Sequence, residues 1–289
     1  MEYSDLLNSF KICDSHLHLS NCKENSLLST DCNTDSSKTG NSQIINSQNY
    51  YALSSAHSKK EFENQAAEVQ KNSDRIFSSF GIHPQNPELE NLDFLESLLS
   101  SKKIDAVGEA GFDFFTEEFK SREAEQKTAF EGQLELCKKY CKPVVLHGRK
   151  CNDRFFYYSK ELSKLPGVIF HSYMGTFDEA VSLLSKGING YFSFGKQILN
   201  GNKKAIDCVS KLEADRLLLE TDAPYQTLKG EVYTLPHDIL RVYKKAFYLR
   251  RIDDELMVSD YSSEERNYEK LNDFCEQLYS NLLGFLGKL

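Results

Sequence analysis

Along the chain, short runs of apolar and β-branched residues alternate with longer stretches whose apolar positions recur at helical spacing. The β-prone runs are Lys11–His18, Tyr50–Ser55, Ile76–Ile82, Ala106–Glu109, Pro143–His147, Val168–His171, Gly190–Phe194 and Leu217–Thr221. The helical pattern covers Lys59–Asn72, Leu92–Ser101, Ser121–Tyr140, Asp153–Ser163, Phe177–Ser185, Lys203–Lys211 and Leu235–Leu249, and a last long helix is predicted over Ser262–Leu286. Gly81, Pro84, Gly111, Pro143, Pro166, Gly167, Gly175 and Pro224 punctuate the joins. Eight strand–helix repeats predict parallel strands in an α/β fold, a (β/α)8 TIM-type barrel. A doubly wound open sheet shares the alternation, so the pattern alone does not separate the two. The chain has 289 residues, a length that suits one barrel domain over 1–289. One stretch interrupts the pattern. From about residue 21 to 49 the sequence is rich in Ser, Asn, Thr and Asp, with Leu27, Leu28, Ile44 and Ile45 as its few apolar anchors. It reads as a long polar insertion. Its functional reading is a lid, because it directly follows the end of the first strand.

The polar residues favour the barrel, whose catalytic groups come from the C-terminal ends of strands. His16 and His18 end the first predicted strand, Glu109 the fourth, His147 the fifth and His171 the sixth, and Asp222 follows the eighth. One polar group after an apolar run is ordinary; six in a row of His or carboxylate are not. On a strand, side chains at i and i+2 share a face, so His16 and His18 can hold one cation together. Four histidines and two carboxylates exceed the donors of one tetrahedral ion. Two divalent ions bridged by a carboxylate fit better, and imidazole with carboxylate suits zinc, manganese or magnesium.

Hydrophobic residues make up 40% of the chain and charged residues 27%, enough apolar material for a core. The net charge of −8 excludes a surface coated in basic residues for duplex DNA. It leaves room for a phosphorylated substrate, because bound cations supply positive charge that the count omits. The eight cysteines contain no CxxC pair and read as reduced, mostly buried thiols. The N-terminus lacks a basic segment followed by an apolar one, and no apolar run reaches the length of a membrane span. A cytoplasmic protein with no membrane association and no obligate protein partner is expected.

Six segments together resemble the TatD-type metal-dependent hydrolases of the amidohydrolase-like superfamily. They are Asp14-Ser15-His16-Leu17-His18, Gly81-Ile82-His83-Pro84, Val107-Gly108-Glu109-Ala110-Gly111-Phe112-Asp113, Val145-Leu146-His147-Gly148-Arg149, Phe170-His171-Ser172-Tyr173 and Leu219-Glu220-Thr221-Asp222-Ala223-Pro224-Tyr225. They stand in the family's order, and Asn281-Leu282-Leu283-Gly284-Phe285 resembles its closing helix. The resemblance implies a TIM-type barrel, a divalent metal centre and, for many members, exonuclease activity on DNA. It implies one metal on His16, His18 and Asp222, a second on His147 and His171, and Glu109 as the bridge. Asp222 and Glu109 are then the catalytic candidates, Asp222 as both ligand and proton acceptor, with Glu220 as a support. Departures lie around the site rather than in it: Ser172-Tyr173-Met174-Gly175, the segment from Gln226 to Pro236, which keeps Pro236 and has Lys229 as the candidate replacement for a family arginine, and the insertion.

Candidate substrate contacts are His83 and Arg149, toward phosphate, Asp113, toward substrate or as a support, and Tyr225. Phe112, Phe114, Phe115, Tyr173 and Tyr225 are aromatics that could stack terminal bases if they are not core residues. His57 and His237 read as ordinary residues, His57 as exposed. The expected activity is a metal-dependent DNase with 3′-5′ exonuclease action on single-stranded DNA or 3′ ends. The alternatives are hydrolysis of another ester, amide or aminoacyl bond, such as an aminoacyl-tRNA deacylase, and a non-catalytic binding protein on a retained barrel.

Overall fold

The computed structural model describes residues 3–28, 44–250 and 262–289. Eight strands pair in chain order, each parallel to the next: β1 Ile12–Leu17, β2 Tyr50–Ala56, β3 Ile76–Phe80, β4 Ala106–Asp113, β5 Val144–Arg149, β6 Val168–Phe170, β7 Gly190–Phe194 and β8 Leu217–Leu219. The order without reversal is that of a barrel, not of a doubly wound sheet. The seam between β8 and β1 is closed beyond the strands' ends. There the Asp222 amide donates to the His16 carbonyl at 2.9 Å and the His18 amide to the Ala223 carbonyl at 2.8 Å. Lower in the seam the Asp14 carboxylate accepts from the Thr221 amide and hydroxyl, at 2.9 and 2.6 Å, and from the Tyr50 hydroxyl at 3.0 Å.

The barrel interior follows from the two-residue period of a strand. One buried apolar residue from each strand forms its lower layer: Cys13, Leu53, Phe77, Ala106, Val145, Ile169, Tyr191 and Leu218. Leu282, Phe285 and Leu286 join the same cluster from the last helix, Ser262–Leu286, and plug the barrel from below. Asn281 fixes that plug by donating to the carbonyls of Ala214 and Leu217 at 2.7 and 2.8 Å. Two residues farther along the strands, the interior turns polar yet stays buried: Ser15, Ser55, Ser79, His147, His171, Ser193 and Glu220. Serines pair across this layer, Ser15 with Ser193 and Ser55 with Ser79, each at 2.6 Å. Their small side chains leave the upper half of the barrel to the imidazoles and carboxylates. The helices pack outside, over a larger apolar shell that includes Ile12, Tyr50, Phe80, Phe130, Phe170 and Tyr243.

The helical pattern is followed with several differences, among them a helix at Tyr3–Ser9 that it did not predict and a 3-10 turn, Pro236–Asp238, at the start of the helix expected from Leu235. The predicted helix from Ser121 is two, Glu117–Ser121 and Glu123–Tyr140, broken at Arg122, whose φ and ψ are −93° and 18°. The one from Asp153 is likewise divided, into Asn152–Tyr157 and Ser159–Leu162. The start of the polar insertion is a helix, Leu19–Glu24, that buries Leu19, Ser20 and Cys22. Leu27, Ile44 and Ile45 are also buried, so the apolar anchors of the insertion dock on the barrel. Residues 29–43 of the insertion lie outside the described residues. The described cysteines are all unpaired, and all but Cys141 are buried. No described helix is long and apolar enough to cross a membrane.

Candidate metal centre

Six residues singled out at strand ends meet at the top of the barrel, all buried: His16, His18, Glu109, His147, His171 and Asp222. Glu109 lies between the histidines and divides them. Its Oε1 faces His16 Nε2 at 3.1 Å and His18 Nε2 at 3.4 Å. Its Oε2 faces His171 Nε2 at 3.0 Å and His147 Nδ1 at 3.3 Å. Asp222 Oδ1 closes the first group, 3.3 Å from His18 Nε2 and 3.7 Å from His16 Nε2. His16 and His18 present their Nε2 atoms to each other at 3.2 Å while both also face carboxylate oxygens. Ring nitrogens and carboxylate oxygens converging in this way need a shared proton or a cation between them. Among the described residues, three sets of donors lie within 4.8 Å of one another: His16, His18 and Glu109; His16, His171 and Asp222; and His83, Glu109 and His147. The chemistry of the set, imidazole nitrogens with carboxylate oxygens, is that of a divalent-ion site.

Backbone detail explains how Glu109 reaches this point. Gly108 has φ +137°, and a Cβ there would stand 2.6 Å from the Val145 carbonyl oxygen. Only glycine allows β4 to run so close to β5 at this residue. Asp222 and Ser172 also hold positive φ, +55° and +46°, in the turns that leave β8 and β6. Such backbone is held by its surroundings and is common at functional sites. Here the Asp222 amide is tied to the His16 carbonyl, and the Ser172 amide donates to Glu220 Oε1 at 2.9 Å.

The outward nitrogens of two histidines are held from behind. Glu220 Oε1 accepts from His171 Nδ1 at 3.1 Å and from the Ser172 hydroxyl at 2.8 Å. Its Oε2 is buried without a hydrogen-bond partner. Asp113 Oδ2 lies 3.0 Å from His147 Nε2 and accepts from Gln85 Nε2 at 2.8 Å. Carboxylates in this position fix the orientation of a ligating imidazole and raise its basicity. Burial alone would lower the pKa of His171, but Glu220 and Glu109 outweigh it and raise the pKa well above the usual value. Asp222 shows the opposite balance. Burial would raise its pKa, yet the His18 hydrogen bond and the positive field of His171 and His16 pull it below the ordinary carboxylate value.

The four substrate-side candidates separate. Tyr225 is half-exposed, with its hydroxyl accepting from Asn21 Nδ2 at 2.7 Å and its ring edge-on to His18. Arg149 is partly exposed, 3.8 Å from Asp113 Oδ2, with its guanidinium 3.9 Å from the centre of the Phe115 ring. His83 sits deeper than a peripheral contact would, 3.3 Å from His147 Nδ1 and 3.8 Å from Glu109 Oε2. Asp113 is fully buried behind His147, with its carboxylate against that imidazole. Among the stacking candidates, Phe112 and Tyr173 are core residues, and Phe115 and Tyr225 face solvent.

His57 is the residue that sequence reasoning missed. It is not simply exposed: its Nε2 lies 2.9 Å from Glu109 Oε1, and its ring packs between those of His18 and His83. The signal was the period of β2, since Leu53, Ser55 and His57 alternate onto the inner face. Gln226 was also passed over. Its Nε2 reaches Ser172 Oγ, and lies 3.2 Å from both Glu220 Oε1 and Asp222 Oδ2. Above the donors opens a cleft of about 520 Å³, walled by Arg149, Met174, Tyr225 and Gln226 among others.

Residues 13–270 match the family described as TatD related DNase. A protein of Edwardsiella piscicida named 3'-5' ssDNA/RNA exonuclease TatD is 38% identical over 174 residues, which are 57% of this chain and 62% of that protein. One of Bacillus subtilis (strain 168), named uncharacterized metal-dependent hydrolase YabD, is 31% identical over 167 residues, 56% of this chain and 64% of that protein. The matched region therefore spans less than two thirds of the length of these relatives. Among solved structures, the TatD homolog YJJV from Escherichia coli k12 shares the fold with a TM-score of 0.72 at 24% identity, over 95% of this chain and 97% of that one. A TatD family hydrolase from Entamoeba histolytica has the same TM-score at 18% identity, over 97% and 99% of the two chains.

Proposed function

The chain belongs to the TatD-related DNase family, and from that premise we propose that it is a divalent-metal-dependent nuclease removing nucleotides from the 3′ end of single-stranded DNA, with RNA as a related substrate. The observation that carries the reading is the division of Glu109, one oxygen toward His16 and His18 and the other toward His147 and His171. A single carboxylate between two groups of imidazoles is the donor arrangement of a two-ion centre. His16, His18 and Asp222 would hold one ion, His147 and His171 the other, and Glu109 both. Zinc, magnesium and manganese all suit these donors. When bound, such ions supply Lewis acidity, which acidifies water and neutralises charge growing on the phosphate.

The chain's own residues supply the rest. Asp222, ionised by its imidazole neighbours, takes the proton of the attacking water. Glu220 and Asp113 keep the imidazoles of His171 and His147 turned toward the cleft. Arg149, at the rim, offers its fork of N–H donors to a phosphate oxygen. Tyr225 faces the cleft beside His18, where a terminal base or sugar would lie. The buried position of the donors excludes bulk water from all but the open side.

The test is a metal analysis of purified protein followed by assays on single-stranded DNA and RNA labelled at the 5′ end. The expected result is a ladder of products shortened from the 3′ end that needs added divalent ion and vanishes with His147→Ala. Metal-loaded protein that leaves both nucleic acids intact while cleaving small esters or aminoacyl-tRNA would replace this reading with an esterase or deacylase.

A further inference from the structure

A second cavity, of about 490 Å³, adjoins the metal cleft and shares Arg149 and Met174 with it. Its size is in the range of small-ligand sites, roughly 300–1,000 Å³. None of the proposed metal donors lines it. Its wall instead carries Phe115, Lys150, Asn152 and Lys204. Phe115 and Met174 are both about half-exposed, at 50% and 45%, and lie on the same cavity, so they form a shared apolar surface rather than scattered single residues. The Arg149 guanidinium lies 3.9 Å from the Phe115 ring centre and the Lys150 ammonium 4.7 Å from it. Cations over an aromatic face also pair readily with phosphate, and an arginine plane on a ring begins a stack that a base can extend.

The charge at this cavity runs against that of the whole molecule. Arg149, Lys150 and Lys204 line it with a single carboxylate, Asp153, which is already engaged by Arg154 at 3.2 Å; outside the lining, Asp113 lies 3.8 Å from Arg149 and Glu179 feels the charge of Lys204. Among the described residues neither Lys150 nor Lys204 forms an ion pair, on a chain that as a whole carries −8. Exposed aromatic surface flanked by unpaired cations, continuous with a phosphodiester cleft, is the composition of a single-strand track. We propose that this cavity is a second nucleotide subsite. The strand whose terminal phosphodiester lies in the metal cleft passes Arg149, rests a base on Phe115 and Met174, and sets its next phosphates against Lys150 and Lys204. The inference rests on the nuclease reading and adds to it a requirement for a strand longer than a dinucleotide. A duplex would hold its bases stacked on each other and unavailable to Phe115.

The experiment measures fluorescence anisotropy with phosphorothioate-linked dT8, rU8 and dT2, in the presence of magnesium, for the wild-type chain, Phe115→Ala and the double variant Lys150→Ala/Lys204→Ala. These side chains are exposed, and matched thermal unfolding curves would establish that the variants are folded. The wild type is expected to bind the octamers more tightly than dT2. Phe115→Ala should weaken octamer binding by roughly 5- to 100-fold, the loss of one stacked base. The double variant should make the slope of log affinity against log salt less negative by about 1.4, at ~0.7 per phosphate contact on a single strand. Binding of dT2 should not change. A loss with dT8 alone would mark DNA as the strand held there, and a loss with rU8 as well would extend it to RNA. Variants that bind both octamers as the wild type does overturn the subsite and leave the nuclease reading standing. A wild type that binds no oligonucleotide and degrades no unmodified strand overturns both.

Discussion

At the scale of single residues, the structure gives each carboxylate of the site a different place. Glu109 stands between histidines, Asp222 faces the cleft, and Glu220 and Asp113 stand behind His171 and His147. The six strand-end donors were legible because each follows an apolar run with the strand's two-residue period. His57 carries the same period, two residues past Ser55, but it stands one step past β2 in a polar context, and its place beside Glu109 depends on another strand. Glu220 provides the sharpest residue-scale test. Its Oε1 gathers His171 Nδ1 and both donors of Ser172, so Glu220→Gln should keep the shape and lose the charge that fixes the imidazole. Metal affinity, measured by calorimetric titration, should fall about 10- to 100-fold. The melting temperature of the metal-free variant should stay close to that of the wild type. An unchanged affinity would show that Glu220 does not orient a ligand.

At the scale of elements, most strands were read nearly to their ends, because buried parallel strands are short apolar runs between Gly and Pro; β4 was not, since it runs past Glu109 and through Gly111 to Asp113, where Ala106–Glu109 was expected. Helix breaks at Arg122 and Tyr158 escaped, since neither residue is a breaker by type. The short helix after His18 escaped because its polar composition hides the burial of Leu19 and Cys22. The last helix was predicted in full, but its role was not, because amphipathic spacing cannot say which surface receives the apolar face. It receives the open lower end of the barrel. Phe285 is 1% exposed in the interior cluster, so Phe285→Ala should cost about 3–5 kcal/mol in denaturant unfolding. The site is at the other end, so the folded fraction should bind metal as the wild type does. A variant as stable as the wild type would mean that the plug is not part of the cooperative barrel.

At the scale of the whole molecule, the eight strands bring together side chains from positions 16 to 222, and no segment contains the site by itself. Metal binding and folding are therefore linked: an ion that binds the assembled donors and not the unfolded chain stabilises the fold by mass action. At a free ion concentration 100 times Kd the gain is about 2.7 kcal/mol for each site. Scanning calorimetry with manganese or zinc against a chelator should show the midpoint rising with ion concentration. Glu109→Gln should remove most of the rise, because its two oxygens face both histidine groups. Loss of only one group's contribution would instead show that the two positions fill independently of the bridge. A midpoint unmoved by any divalent ion in the wild-type protein would leave the convergence of imidazoles and carboxylates without the cation that their geometry calls for.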